Sequence, residues 1–345
     1  MTDTFAETFG TPKPKKSTAP GFVAWDGKLI VAPGAYRDVP ITRYHGAEIC
    51  AGPSISGSGL KVLSGDKGQR KKGQTPRHFW QGSNLNPNRR VREDTDALRL
   101  GRAFHDALLL PEVYETDYHV LPEGFSRAAK VKMAAEIAEA DAAIAAGMSC
   151  LSMDECYILN AMVDAMRGDP LIAPLVSDGE AEVTLAWQDA ETGVWVRARP
   201  DLMLSDLSIG LNVKTDVDAS YSGFSSSIAK YGYAQGAALE LDGYQAVFGE
   251  MPRRYFYPVV EKPAKGSWQD GDYIATALWE LPDEDIERGR WLNRMALRTF
   301  ADCLASGKWP GYTTEAELCG LPSYARHVID NGGAAEPDDD EISGS

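Results

Sequence analysis

The sequence predicts an α/β fold in which a small mixed β-sheet is flanked by helices. Apolar residues recur at helical spacing on both sides of a segment in which the hydrophobic period changes to two. The predicted order is helix, three consecutive strands, helix, strand and helix, which is typical of helices packed around one sheet. A content of 43% apolar residues is enough to fill the core of a soluble domain.

The helices are indicated by stripes of apolar residues. The segment LRLGRAFHDALLL carries His105 at the flank of a stripe formed by Leu100, Phe104, Ala107 and Leu108. An Ala-rich helix is predicted from about Arg127 to Ala146, and another near Tyr231 to Phe248. The last helix follows the acidic run Pro-Asp-Glu-Asp, which favours a helix amino terminus, and ends before Gly307.

The strands are indicated by alternation. Val183, Leu185 and Trp187 alternate with Glu182, Thr184 and Ala186, the turn residues Asp189 to Gly193 follow, and alternation resumes up to Pro200, which predicts a β-hairpin. A third strand is predicted over Ile209–Thr215. Its period of two places Asn212 and Lys214 on one face and Val213 on the other. A further strand is expected over Arg254–Val260.

The predicted domain organisation is one domain with polar ends. Residues 1–20 are read as a disordered arm, 21–330 as the domain with an amino-terminal elaboration, and 331–345 as a disordered acidic tail. Five scattered cysteines form no Cys-x-x-Cys pair, so reduced thiols are expected and an iron–sulfur cluster is not. The sequence shows neither an apolar run long enough to span a membrane nor a signal peptide, which predicts a cytoplasmic location.

The charge is unevenly distributed. The net charge is −15, yet the segment from Lys61 to Arg92 holds nine basic residues against the single acid Asp66. A basic tract on an acidic body suits a protein that admits DNA at one surface and repels it elsewhere, although a solvated loop without a ligand is also typical of such a tract. The candidate DNA-binding residues are Lys61, Arg70, Lys71, Lys72 and Arg77 in this tract, together with Arg127 and Lys130 in the Ala-rich helix, where a solvated helix face is an equally good explanation.

Polar residues that can carry chemistry fall on the three predicted strands. Glu182 lies on the first strand, Asp201 follows Arg-Pro at the end of the second, and Asn212 and Lys214 lie on the third. Oxygen donors of this kind are the ligands that Mg²⁺ prefers. A lysine beside them would stabilise negative charge on a phosphate undergoing hydrolysis. The pattern predicts a phosphodiesterase site.

Several motifs resemble those of one nuclease superfamily. Pro200-Asp201, followed after ten residues by x-Val213-Lys214-Thr215, resembles the PD-(D/E)XK signature, and Gly101-Arg-Ala-Phe-His105 resembles the helical G-x-x-x-H element of its RecB-like and RecE-like branches. Flanking elements similar to the RecE-type exonucleases of phages and prophages are Ile55-Ser-Gly-Ser58, Leu60-Lys61, Pro76-Arg-His-Phe79, the Asp-x-x-Thr-Gly turn, Leu241-Asp-Gly-Tyr244 and Trp309-Pro-Gly-Tyr312. The resemblance spans about residues 45 to 325.

The resemblance implies a PD-(D/E)XK core and a Mg²⁺-dependent exonuclease, with Mn²⁺ able to substitute, that acts 5′ to 3′ on ends of double-stranded DNA. It also implies a ring-shaped homo-oligomer and a functional link to a single-strand annealing protein in recombination. The implied metal-binding residues are His105, Glu182, Asp201, Asn212 and Val213. The implied catalytic residues are Lys214, Asp201, Glu182 and Gln235.

Two positions depart from the family pattern. Asn212 stands where an acidic metal ligand is expected, which removes one negative charge and predicts weaker Mg²⁺ binding and impaired catalysis. Gln235 lies one residue too early relative to Asp242-Gly-Tyr244, and one residue is about 100° of helix rotation. Two alternative functions therefore stay open: a protein that binds DNA ends without cutting them, and a restriction-type endonuclease.

Overall fold

The structure is a computed structural model that describes residues 21–46, 48–65, 74–89, 95–204, 206–263, 269 and 271–330. These residues divide between two units, one ending at Trp309 and the other beginning at Pro310. The predicted arm and acidic tail lie outside the described residues, as do Arg70, Lys71 and Lys72 of the basic tract. Within the described residues, no helix is long and apolar enough to cross a membrane.

The first unit contains a five-stranded sheet in the order β1-β2-β7-β8-β3. The predicted hairpin is its centre: β7 and β8 pair antiparallel with Trp187 opposite Val196. The turn is closed by Asp189, whose Oδ1 accepts hydrogen bonds from the backbone N–H and the hydroxyl of Thr192 at 2.9 and 2.7 Å. The strands are β1 (Phe22–Ala24), β2 (Gly34–Arg37), β3 (Ser54–Ser56), β7 (Thr184–Gln188) and β8 (Trp195–Ala198).

A second sheet of six strands is built around β12 (Arg254–Glu261). The predicted third strand is two strands, β10 (Ile209–Leu211) and β11 (Lys214–Asp216), which both pair parallel with β12. Pro258 lies on β12 between the two paired stretches and has no N–H to donate, so the ladder is interrupted there. The remaining strands are β6 (Glu180–Ala181), β9 (Leu202–Met203) and β13 (Thr276–Glu280).

A small parallel pair, β4 (Tyr118–Val120) and β5 (Ser149–Leu151), stands apart from both sheets. The helices of the first unit are α1 (Ile41–Tyr44), α2 (Gly57–Leu63), α3 (Pro76–Gly82), α4 (Asp96–Leu109), α5 (Pro111–Asp117), α6 (Ala134–Ala145), α7 (Met153–Gly168), α8 (Ala173–Val176), α9 (Tyr221–Tyr231), α10 (Tyr233–Phe248) and α11 (Asp283–Ser306). The described part of the second unit contains α12 (Ser323–Asp330).

Two predicted helices differ from the structure in detail, and a third agrees with it. The Ala-rich helix begins at Ala134, because residues 123–133 form turns. The helix predicted near Tyr231 to Phe248 is preceded by a second one, α9, and Gly232 separates them with a left-handed φ of 63°. The last helix ends at Ser306, before Gly307 as predicted, and Gly307 has a left-handed φ of 66°.

The two sheets face different hydrophobic clusters. Phe104 of α4 and Met162 of α7 pack under the second sheet against Leu211 and Val213, whereas Leu239 of α10 packs on the first sheet. Helices α10 and α11 approach so closely that a Cβ on Gly289 would lie 2.2 Å from the carbonyl oxygen of Ala234. The predicted class, a mixed α/β fold with helices around the sheet, is confirmed, although the strands form two main sheets and not one.

Candidate metal and nuclease site

Glu182 lies at the junction of the two sheets. It follows β6 of the second sheet and precedes β7 of the first, so the chain changes sheets at this residue. Its φ is +55°, a left-handed backbone that costs free energy for any residue other than glycine and that clusters at functional sites. The Nε of Arg199 donates to the Glu182 carbonyl at 2.8 Å and lies 3.1 Å from its Oε2. Glu182 was predicted inside a strand, and the sheet change is why it lies between two.

Asp201 lies directly after the hairpin and is 9% exposed. Its Oδ2 accepts a hydrogen bond of 2.7 Å from the backbone N–H of Val213. The same oxygen lies 3.5 Å from Nζ of Lys214 and 3.6 Å from Nδ1 of His105. Because β10 and β11 are interrupted at Asn212 and Val213, the Val213 N–H is free to fix this carboxylate.

Helix α4 contributes His105 to the site. One ligand atom from each of His105, Glu182 and Asp201 lies within 4.8 Å of the other two. Burial lowers the pKa of His105 and outweighs the opposing charge of Asp201. The imidazole is therefore neutral near pH 7 and has a lone pair available for a metal.

The carboxylate of Glu182 is held in an environment that disfavours its charge. Burial raises the pKa of Glu182 to about 7, against the lowering effect of Arg199 and with a further raising effect of Asp201. Anionic groups that are crowded and partly desolvated in this way are stabilised by a divalent cation. The donor set of two carboxylates and a neutral imidazole fits such an ion.

Lys214 is placed beside the carboxylates by β11. Its Nζ donates to the Val213 carbonyl at 2.8 Å and lies 5.5 Å from the centre of the Tyr233 ring. The Nζ of Lys61, on α2, lies 5.8 Å from the centre of the same ring. Two cations from distant parts of the sequence thus lie close to one aromatic ring.

The side chain of Asn212 is hydrogen-bonded to Glu240, a residue that the sequence analysis did not identify. Its Nδ2 donates to Oε1 of Glu240 on α10 at 2.9 Å, and Oε2 of Glu240 accepts from the Tyr255 hydroxyl at 2.6 Å. Burial raises the pKa of Glu240 to about 8, although the hydrogen bond from Tyr255 opposes the rise. The signal in the sequence was a single acid among the apolar residues Ala237, Ala238, Leu239 and Leu241.

Other predicted residues lie away from the carboxylates or make different contacts. Gln235 is 2% exposed and is linked to α2 by a 3.5 Å hydrogen bond from the Ser64 hydroxyl. Val213 has an apolar side chain in the core, so only its carbonyl oxygen could serve a metal. Among the predicted DNA-binding residues, Arg77 and Lys130 are exposed, and Arg127 pairs with Asp141 at 2.7 Å on the surface.

Comparisons with known proteins agree with this architecture. The sequence model of a family described as a PDDEXK-like domain of unknown function (DUF3799) matches residues 69–322. A crystal structure from Eubacterium rectale, called a "putative exonuclease", is similar with 15% identity over 85% of this chain and 94% of that chain, at a TM-score of 0.50. This likeness shows a shared fold. A phage-related exonuclease from Haemophilus somnus 129PT matches at 11% identity over 63% of this chain and 92% of that chain, and its TM-score of 0.24 supports no conclusion. No curated protein matches the sequence significantly.

Proposed function

Because the chain belongs to the family of PDDEXK-like domains described as DUF3799, we propose that it is a divalent-metal-dependent deoxyribonuclease. The observation that carries the proposal is the convergence of His105, Glu182 and Asp201 within 4.8 Å. Lys214 lies beside them, with its Nζ 3.5 Å from Asp201. These residues come from a helix, a sheet junction, the end of a hairpin and a strand, and no single structural element requires them to meet.

The proposed metal-binding residues are His105, Glu182 and Asp201, with oxygens of Asn212 and Val213 available from the adjoining strand. When bound, Mg²⁺ or Mn²⁺ supplies Lewis acidity toward a phosphate oxygen and lowers the pKa of water. The imidazole is a donor that transition metals bind more readily than Mg²⁺ does, which makes Mn²⁺ a suitable probe.

The side chains of the chain have separable roles in this proposal. Asp201 orients the strand through the Val213 N–H and holds Lys214 by charge. Lys214 is a fixed cation that stabilises the negative charge that develops on the phosphate during hydrolysis. Lys61, whose Nζ also lies close to the Tyr233 ring, is placed to bind the phosphate backbone of DNA.

We further propose that the substrate is linear double-stranded DNA, degraded from its ends to leave single strands for recombination. Two facts support this proposal: the sequence resemblance to RecE-type exonucleases, and the fold shared with a protein called an exonuclease. A 5′-to-3′ direction, a ring-shaped homo-oligomer and a single-strand annealing partner are part of the same proposal and rest on the resemblance alone.

The test uses blunt duplex DNA that carries a label at either the 5′ or the 3′ ends, together with closed circular duplex. With Mg²⁺ the linear DNA should shorten from its 5′ ends, the circular DNA should stay intact, and a chelator should stop the reaction. Cleavage of the circular DNA would contradict the proposed exonuclease and indicate an endonuclease. DNA binding without cleavage at any Mg²⁺ or Mn²⁺ concentration would favour the non-catalytic end binder, for which the amide at position 212 is the supporting observation.

A further inference from the structure

The side chain of Asn212 has one end satisfied and the other end free. Its Nδ2 donates to Glu240, whereas its Oδ1 is buried and has no hydrogen-bond partner among the residues that the structure describes. Buried polar atoms in native proteins are almost always paired, so an orphaned oxygen at this position requires an explanation. A bound cation is a partner that the protein alone does not provide.

Glu240 fixes which end of the amide is free. It is 8% exposed, and its two oxygens accept from Asn212 Nδ2 at 2.9 Å and from the Tyr255 hydroxyl at 2.6 Å. The amide nitrogen therefore points to Glu240, and Oδ1 is turned away from it.

Tyr255 in turn is held rigidly. It is 1% exposed, and a Cβ on Gly210 would lie 2.5 Å from its ring, so the absence of a side chain at position 210 lets the ring lie against the neighbouring strand. Tyr255, Glu240 and Asn212 form one chain of hydrogen bonds from β12 through α10 to the break between β10 and β11. Such a chain orients its last member with little freedom.

The chain ends next to the proposed metal site. Asn212 precedes Val213, whose N–H binds Asp201, and the charges of Asp201 and Lys214 both act on Glu240. We propose that Glu240 is a positioning residue that presents Asn212 Oδ1 as a further metal ligand. This inference rests on the proposed metal-dependent function.

The inference changes the expected effect of Asn212 on metal binding. A neutral amide at position 212 was expected to weaken metal binding. With Glu240 behind it, an Asp at position 212 would place two carboxyl groups across a contact of 2.9 Å, and neither would have an N–H to donate to the other. The pair needs one amide and one acid, and exchanging the two should preserve their hydrogen bond.

The test is an exchange of the acid and the amide between positions 240 and 212, measured by Mn²⁺ binding to the full chain without DNA, with the electron paramagnetic resonance signal of free Mn²⁺ as the readout. In Glu240→Gln, the new amide oxygen keeps accepting from the Tyr255 hydroxyl, so the new NH₂ faces Asn212, donates to Oδ1 and consumes the ligand. The dissociation constant should therefore rise about tenfold or more. In the double variant Asn212→Asp with Glu240→Gln, the hydrogen bond is kept with reversed polarity, and binding should return to within about threefold of the original chain.

Asp242→Asn is the matched control, because it removes one carboxylate from the same helix at a residue that pairs with Arg290 at 2.7 Å. Its Mn²⁺ affinity should be unchanged. Folded Glu240→Gln protein that binds Mn²⁺ normally, or a folded double variant that stays weak, would overturn the inference. If Glu240→Gln does not fold, Asn212→Ala decides: normal Mn²⁺ binding by that variant also overturns it. An original chain that binds no Mn²⁺ would instead refute the proposed function.

Discussion

The two ends of the β7–β8 hairpin carry carboxylates in opposite electrostatic states. At the turn, Asp189 accepts hydrogen bonds from Thr192 and from Arg294, whose Nη1 lies 2.8 Å from Oδ1. Burial opposes the charge of Asp189, but the bonds from Arg294 and Thr192 together outweigh it and lower the pKa. This carboxylate closes a turn and ties it to α11.

At the open end, burial also acts on Glu182, yet here it prevails. Arg199 lowers the pKa of Glu182 less than burial raises it, and nearby Asp201 adds to the rise. Burial is common to both ends, so pairing makes the difference. A carboxylate that is fully paired stabilises the fold, and one that is crowded and incompletely paired is available to a cation.

The largest expected effect comes from Asp201→Asn. An amide oxygen at position 201 can still accept the Val213 N–H, so the local structure should hold. The negative charge is lost, and we expect Mg²⁺-dependent cleavage to fall by about 10³-fold, roughly 4 kcal/mol of barrier. Mn²⁺ binding should weaken in parallel. Cleavage near the original rate would show that Asp201 is not part of the site.

The next effect separates metal binding from catalysis. Lys214→Met removes the ammonium group and keeps the length of the side chain, so the charge near the phosphate is lost while the carboxylates stay. We expect turnover to fall by about 10²-fold and Mn²⁺ affinity to stay equal or increase, because Lys214 Nζ lies 3.5 Å from Asp201. If the variant loses metal binding together with turnover, Lys214 has a structural role and not a catalytic one.

The pH dependence of metal binding follows from the raised pKa values. The pKa of Glu182 is raised from 4.5 to about 7, and the side chain must lose its proton to bind a cation, so Mn²⁺ affinity should increase about fivefold from pH 6 to pH 7 and about tenfold from pH 6 to pH 8. Without metal, the stability of the fold depends on pH in the opposite direction. A raised pKa stabilises the fold at low pH, and this contribution is lost as pH rises through about 7 for Glu182 and about 8 for Glu240.

Mn²⁺ titrations at pH 6, 7 and 8, and thermal unfolding in chelator at the same pH values, measure both effects. Affinity that does not change with pH would mean that Glu182 is already ionised and is no different from Asp189.

The hairpin and its acids were predictable from local sequence, whereas their surroundings were not. Alternation and the turn residues locate β7 and β8, and the spacing of Asp201 and Lys214 predicts a site. The sheet change at Glu182 left no local signal, because a left-handed φ at a glutamate follows from tertiary packing. Sequence also missed Glu240, since its contact with Asn212 joins residues separated by 28 positions.

A substitution at the turn of the hairpin tests whether Asp189 stabilises the fold without affecting metal binding. Asp189→Asn keeps the size of the side chain but leaves Arg294 with a neutral partner, and Asp189 is 6% exposed. Since Arg294 is itself partly exposed, the free energy of unfolding should fall by about 2 kcal/mol, in the range for one lost bond to a charged group. Denaturant unfolding measures the loss, and Mn²⁺ affinity of the folded protein should not change. A change in affinity would couple the two ends of the hairpin.

The smallest expected effect lies two residues along the same turn. Glu191 pairs with Arg298, whose Nε lies 2.5 Å from its Oε1, and the side chains are 46% and 60% exposed. Water and salt screen such a pair, and ordering two long side chains costs entropy, so Glu191→Gln should shift the midpoint of thermal unfolding by no more than about 1 °C.

Glu191→Gln is matched to Asp189→Asn in charge and position and differs from it in burial. If both variants lose the same stability, ion pairs with α11 and not the buried turn hold this end of the hairpin. If only Asp189→Asn is destabilised, a carboxylate of this hairpin stabilises the fold only when it is both buried and fully paired. The acids at the open end are at least partly buried but incompletely paired, and this difference in pairing distinguishes them from Asp189.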